Sequence, residues 1–151
     1  MVISEAEAFD LVVNLIKTNI NIFEKRGFTY DRHAIHVTKT GMNVLQFYFH
    51  NVSTGMKLRL HYTYPPPGMN AGFFLYIENP AGKDLDVEDY LRLHGFVKER
   101  LLFTYTDNVP DFQKYCETFL STLDHLFSTE LKPILDGKKW EDIPFDWGDY
   151  K

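Results

Sequence analysis

The sequence predicts a two-layer α+β domain, in which an antiparallel sheet of about five strands packs against N- and C-terminal helices. Two observations carry this prediction. Residues 34–79 alternate apolar and polar side chains in four short segments separated by turns, a pattern typical of a sheet covered on one face. On either side, longer segments repeat apolar residues at steps of three and four, which indicates amphipathic helices. We expect one domain over residues 1–151, with residues 137–151 as a tail.

The first helix is predicted from its start signal and its apolar stripe. Ser4 is followed three positions later by Glu7, which is the capping-box pattern. Apolar residues then recur at helical spacing as far as Phe23, and Gly27 follows two basic residues, a typical C-terminal signal. We therefore predict one helix of about five turns. Its wide apolar surface fits burial in the core, and the alternative is a homodimer contact through this helix.

The four-strand meander has a predicted register. Pairing Val37 with Leu45 across a three-residue turn puts their side chains on one face, because a slip of one residue would move them to opposite faces. The same argument pairs Phe47 with Leu60 across the next turn. The polar face then falls into three predicted rows: His36–Gln46–His61, Ala34–Tyr48–Arg59 and Arg32–His50–Lys57.

The rest of the chain supplies the remaining elements. Residues 73–78 are the fourth strand, and residues 97–106 are predicted as a fifth. Asp86 is placed to cap a short helix over residues 87–93. The last helix is predicted to begin at Asn108, with Pro110 in its first turn, and to end near Lys132.

Composition and charge narrow the function classes. The net charge is −5, and the second half holds the excess acid, since residues 81–151 contain 9 Lys and Arg against 15 Asp and Glu. An acidic protein is not expected to bind nucleic acid, which needs basic side chains. The longest apolar runs are far too short to span a membrane, and the start does not resemble a secretory signal. The lone Cys116 suits a reducing compartment, so we expect a cytoplasmic protein.

The candidates for catalysis and metal binding are weak. His36 and His61 share a predicted row, but two strand spacings would separate their backbones by roughly 9–10 Å, which is long for a shared zinc ion. The sequence has no phosphate-binding loop, nucleophile elbow or cysteine pair. We therefore predict no catalytic residue, no metal and no cofactor.

Two groups of residues are the candidate binding surfaces. The polar face of the sheet carries histidine, aromatic and charged side chains, and its plain alternative is a solvated sheet face: His36, Gln46, Tyr48, Arg59, His61, Tyr76 and Glu78. The tail places aromatic residues among acidic ones, which is typical of an interface for a basic partner: Trp140, Phe145, Trp147 and Tyr150. The alternative for the tail is that it folds back over the open sheet face.

The order of elements, the small size and the acidic character resemble type III secretion chaperone-like domains and toxin-immunity proteins. The resemblance lies in the architecture and implies binding of a protein partner. We therefore expect a non-catalytic cytosolic domain that holds a basic protein partner. The alternative is a small enzyme or ligand-binding domain, which a pocket enclosing His36, His61 and Glu78 would favour and a flat sheet would exclude.

Overall fold

The computed structural model describes residues 3–64, 71–105 and 111–143. Six helices and six strands lie in these ranges. In chain order they are α1 Glu5–Thr18, α2 Asn21–Glu24, β1 Thr29–Val37, β2 Asn43–His50, β3 Lys57–Thr63, β4 Ala71–Glu78, β5 Asp84–Asp86, α3 Val87–Leu93, α4 Val97–Leu101, β6 Thr104–Tyr105, α5 Phe112–Ser128 and α6 Lys132–Leu135.

The sheet is open and antiparallel, with the strand order β1-β2-β3-β4-β5. The short strand β6 pairs with the start of β4. Helices from both ends of the chain cover one face, so the predicted two-layer α+β class is confirmed. Strand β5 was not predicted, because three residues are too few to show an alternating pattern.

The apolar face of the sheet and the two long helices form the core. Phe47, Leu60 and Leu75 are fully buried. Phe73 of β4 stacks on Phe119 of α5 with ring centroids 4.2 Å apart, and Phe9 of α1 meets the edge of a β3 tyrosine ring. Alternate residues of β2, β3 and β4 enter this core, so their remaining side chains form a second, polar face.

The predicted first helix is wrong in length, because the chain makes two helices. The capping box is present, with the Ser4 hydroxyl accepting from the Glu7 backbone N–H at 3.1 Å. Helix α1 ends at Asn19, whose side-chain amide and backbone N–H both donate to the carbonyl of Leu15. An asparagine side chain that competes for backbone groups favours such an end over continued helix.

The predicted register of β1 is wrong by two residues. Val37 pairs with Asn43 instead of Leu45, and Ile35 pairs with Leu45. The turn has the predicted three residues but begins one position earlier, since Gly41 has φ 84° and takes the last loop position, where three-residue hairpins need a left-handed residue. Between β2 and β3 the predicted register is confirmed.

Two predictions in the second half are also wrong. Within the described residues 97–105, Val97–Leu101 form helix α4, and only Thr104–Tyr105 join the sheet as β6. The alternation failed here because Leu101 is 59% exposed whereas Phe103 is 1% exposed. Helix α5 ends at Ser128, and Pro133 lies in the first turn of the separate helix α6. Asp111 caps α5, and the predicted start at Asn108 and Pro110 lies outside the described residues.

Candidate functional site

The observed register lines up one row of charged and aromatic side chains across the polar face. Neighbouring strands pair its members in turn, and we call it the cation–aromatic row: Arg32, Tyr48, Arg59, Tyr76 and Asp86. The guanidinium carbon of Arg32 lies 4.1 Å from the Tyr48 ring centroid, and that of Arg59 lies 5.2 Å from the Tyr76 centroid. These distances are those of cation–π contacts, so the two arginines hold the two rings in fixed positions.

A second row runs beside the first. Gln46 pairs with His61, and His61 pairs with Phe74. The Tyr48 hydroxyl donates a hydrogen bond to Oε1 of Gln46, which links the two rows on β2. On β3 and β4 the rows meet where the His61 ring lies 5.2 Å from the Tyr76 ring.

A cavity of about 780 Å³ opens on this face between the sheet and helices α3 and α4. We call it the sheet-face cavity. Its floor is made by β3 and β4 and its wall by β5, α3 and α4; the lining residues are Arg59, His61, Phe74, Tyr76, Asp84, Asp86, Glu88, Asp89, Arg92 and Arg100. Its volume lies in the range of small-molecule pockets, but those are mostly lined by apolar side chains.

The wall owes its position to the turn from β5 into α3. The Asp86 carboxylate caps α3 by accepting the backbone N–H groups of Glu88 at 2.9 Å and Asp89 at 3.3 Å. Carboxylates are favoured in the first turn of a helix because of the exposed N–H groups there. The cap therefore places the carboxylates of Asp86, Glu88 and Asp89 together at the end of β5. This strand pairs with β4, where Asp86 lies opposite Tyr76.

Arginines neutralise the wall only in part. Arg59 pairs with Asp84 at 2.8 Å, Arg92 pairs with Asp89 at 3.1 Å, and the Nε atom of Arg100 lies 4.0 Å from Glu88. The cavity thus has four carboxylates against three guanidinium groups, and the carboxylates are concentrated on β5 and α3.

Burial is the main cause of the pKa shifts in the cavity, and neighbouring charges add to it. Burial and then the Asp86 carboxylate raise the pKa of Tyr76 to about 12, and burial and then Asp86 raise the pKa of Glu88. On the other side, burial followed by Arg59 and His36 lowers the pKa of His61 to about 4. The His61 imidazole is therefore neutral at pH 7.

Some polar atoms in the cavity lack a partner. Within the described residues, Nε2 of His61 and the Nε atoms of Arg59 and Arg100 are buried and have no hydrogen-bond partner. Buried polar atoms are normally paired. The Nε atoms of Arg59 and Arg100 are donors, which water or a bound acceptor would pair, whereas Nε2 of His61 can accept a hydrogen bond from a bound donor.

The predicted sheet-face residues divide into three sets. Arg59, His61 and Tyr76 line the cavity, while Gln46 and Tyr48 lie next to it in the same rows. His36 and Glu78 lie apart. The predicted row containing His36 is wrong, because the shift of β1 places it opposite Val44, where it is exposed, and Glu78 contacts Lys57 at 3.7 Å.

The wall of the cavity was not predicted as a site. Its residues lie on β5, α3 and α4, three elements of which only α3 was predicted. The sequence did signal one of them, since Asp86 was recognised as a helix cap, but a cap alone does not show which side chains it faces.

The described part of the tail does not line the cavity. The Trp140 ring is half-buried against the core, and its indole N–H donates to Asp142 at 3.0 Å. Glu141 contacts Nε2 of His94 at 2.5 Å at the end of α3, and Asp142 lies 3.6 Å from Lys83. The other predicted tail residues, Phe145, Trp147 and Tyr150, lie outside the described residues.

Other site classes find no support in the described residues. Their histidine, cysteine and acidic side chains form no group of three or more placed to hold a metal ion. None of their helices is both long and apolar enough to cross a bilayer. Comparisons with protein-family models, curated proteins and solved structures found no significant match for this chain.

Proposed function

We propose that this protein is a non-catalytic binding domain that holds a basic protein partner at the polar face of its sheet. One observation carries the proposal: the carboxylates on β5 and α3 form a wall beside an aromatic floor, in a cavity where they outnumber the arginines. An arginine or lysine side chain of the partner is the group that this cavity fits, because it would meet negative charge and π-faces together.

The state of His61 supports a cationic occupant. A protonated histidine would repel a guanidinium group, but the lowered pKa keeps His61 neutral at pH 7. A neutral imidazole offers one nitrogen as an acceptor, and Nε2 is buried without a partner. With its proton on Nδ1, His61 would accept an N–H from the partner's side chain.

The charge of the whole chain supports the same class of partner. The net charge of −5 would increase the rate of encounter with a basic protein. The proposal includes a role of the immunity or chaperone type, which rests on the resemblance in architecture. It also includes a cytoplasmic location, which rests on the lone, buried Cys116.

The proposal is tested with a side-chain probe whose identity is known. Nα-acetyl-arginine amide is titrated into the protein, and NMR shifts of His61 and Tyr76 are followed. We expect saturable shifts with a dissociation constant of about 1 mM or weaker, as suits one side chain. Glu88→Gln should weaken this binding, and Glu130→Gln is the matched control because it removes the same charge from an exposed site outside the cavity.

A partner protein would then be sought with the same pair of variants. Capture that Glu88→Gln abolishes and Glu130→Gln preserves would identify a protein held at the cavity. Binding of acetate or phosphate in preference to the arginine probe would contradict the proposal, as would equal binding of the probe by both variants.

The second candidate is a ligand-binding or catalytic site. The observation that favours it is that His61, Tyr76 and Glu88 have shifted pKa values in one cavity, as in many active sites. The pocket predicted for it is only partly present, since the cavity contains His61 without His36 or Glu78. A pKa near 4 for His61 and near 12 for Tyr76 suits general acid–base catalysis poorly at pH 7. A small molecule that binds through Glu88 without competing with the arginine probe would favour this candidate.

A further inference from the structure

Arg32 holds a positive charge at the end of the cation–aromatic row that lies opposite the sheet-face cavity. It lies on β1, whereas the cavity is lined from β3 onward. Its side chain is exposed. Within the described residues its guanidinium group forms no ion pair, and it stacks on the Tyr48 ring at 4.1 Å. The charge is therefore accessible and held in one place.

The strands around Arg32 do not balance this charge. Strand β1 has one acidic residue, Asp31, which contacts Nδ1 of His50 at 2.5 Å, and β2 has none. The other arginine of the row differs, because Arg59 pairs with Asp84 at 2.8 Å. The polar face thus has two ends of opposite character: an acidic wall beside the cavity and an unbalanced arginine on β1.

The stack on Tyr48 prepares the guanidinium group for a ligand. An aromatic ring occupies one face of the planar group and leaves its fork of N–H donors available at the edge. The ring is itself held, because the Tyr48 hydroxyl donates to Oε1 of Gln46. A side chain fixed in advance loses less entropy on binding. The group that matches the fork is a carboxylate, which accepts two parallel N–H bonds.

We propose that Arg32 binds a carboxylate of the same partner whose basic side chain enters the sheet-face cavity. The inference rests on the proposed function and adds an acidic group to the chemistry of the partner. The row gives the spacing, because β1 and β4 are three strand positions apart, which separates the backbones of Arg32 and Tyr76 by roughly 14 Å. An extended segment covers this distance in about four residues. The partner therefore carries its acidic residue about four positions from its arginine or lysine.

The two ends of the face together select the kind of segment that binds. A uniformly basic segment would bring a second cation against Arg32, and a nucleic acid would bring phosphates against the carboxylates of the wall. Both arrangements place like charges together, which disfavours the wrong partner. A segment with opposite charges at the stated spacing meets a complementary group at each end.

The test uses two acetylated, amidated pentapeptides that differ only at the last position. Both begin with arginine and continue with three glycines; one ends with glutamate and the other with glutamine. We expect the glutamate peptide to bind about threefold to tenfold more tightly in an NMR titration, as suits one surface ion pair. Net charge alone predicts the opposite order, since the glutamine peptide is the more positive and the protein carries −5.

A pair of variants assigns the difference to Arg32. Arg32→Gln should reduce the affinity for the glutamate peptide to that for the glutamine peptide. It should leave the glutamine peptide bound as before, which also shows that the variant is folded. Lys39→Gln is the matched control, because it removes the same charge from an exposed side chain in the turn after β1. The Tyr48 ring signals should shift more with the glutamate peptide than with the glutamine peptide.

Failure of this inference is distinguishable from failure of the proposed function. Equal binding of the two peptides would overturn the carboxylate site and leave the cavity as the site of the arginine. So would a preference for glutamate that Arg32→Gln retains or that Lys39→Gln abolishes. Absence of binding by both peptides, or binding that Glu88→Gln does not weaken, would overturn the proposed function and this inference with it.

Discussion

The two faces of one sheet differ in almost every physical property, although alternate residues of the same strands build them. In β3, Leu58, Leu60 and Tyr62 are fully buried at 0% exposure, while Arg59 and His61 between them lie in an open, charged cavity. One face excludes water and carries the stability of the fold. The other keeps charges, unpaired polar atoms and space, which are properties of a binding surface. The comparison teaches that a buried, stabilising face and an open, charged face are separated here by single-residue steps.

Phe73 and Phe74 provide the strongest test, since they are adjacent and point to opposite faces. Phe73 is 2% exposed and stacks on Phe119, so Phe73→Ala should reduce the free energy of unfolding by about 3–5 kcal/mol through lost burial and a cavity. Phe74 is half-buried in the cavity floor, and Phe74→Ala should cost about 1 kcal/mol. Urea unfolding of both variants measures this, and equal losses would show that the two faces do not differ in stability.

His61 gives the polar face a pH dependence that the apolar face lacks. Its pKa is about 4 in the folded protein, below the ordinary histidine value of 6.5, so the unfolded chain binds the proton more tightly. The contribution is fully present above pH 6.5 and is lost as the pH falls toward 4, by up to about 2 kcal/mol after allowing for partial exposure. Urea unfolding between these pH values should show a steeper fall than in His61→Gln. The exposed His125 on α5 provides the control, because it lies outside the cavity and His125→Gln should keep the steep fall.

The cap at the start of α3 connects the two faces, because that helix buries Val87 and Leu91 in the core and carries the acidic wall. Asp86→Ala removes two hydrogen bonds to backbone N–H groups and should cost about 1 kcal/mol. It should also lower the pKa of Tyr76, since Asp86 is the charge that raises it most. Urea unfolding and a spectroscopic titration of tyrosine measure the two effects. An unchanged Tyr76 pKa would show that the Asp86 carboxylate does not raise it.

The smallest effect is expected for the ion pair between Lys57 and Glu78. The nitrogen and oxygen lie 3.7 Å apart, and water reaches both side chains, which are 62% and 30% exposed. Glu78→Gln should change the free energy of unfolding by less than about 0.5 kcal/mol and leave the arginine probe bound. A larger decrease in the free energy of unfolding, measured with urea, would mean that the polar face also contributes to stability outside the cavity.

Much of the fold was predictable because local patterns specify it. Alternation in β2, β3 and β4 requires one buried face, and that requirement fixed the pairing of Phe47 with Leu60. For β1 the same rule was not sufficient, because a shift by two residues keeps every side chain on its face. The backbone conformation of Gly41 chose between the two registers, and through it the position of His36.

The sequence by itself determined the apolar layer, the long helices and the side chains available on the polar face, since periodicity and caps are local properties of the chain. The sheet-face cavity was decided only by the tertiary structure. It requires Arg59 and Tyr76 from the meander to meet Glu88 and Arg100 from two later helices, and no local pattern connects residues that far apart. The stack of Arg32 on Tyr48 has the same origin, because residues of different strands become neighbours only when the register of the sheet is set.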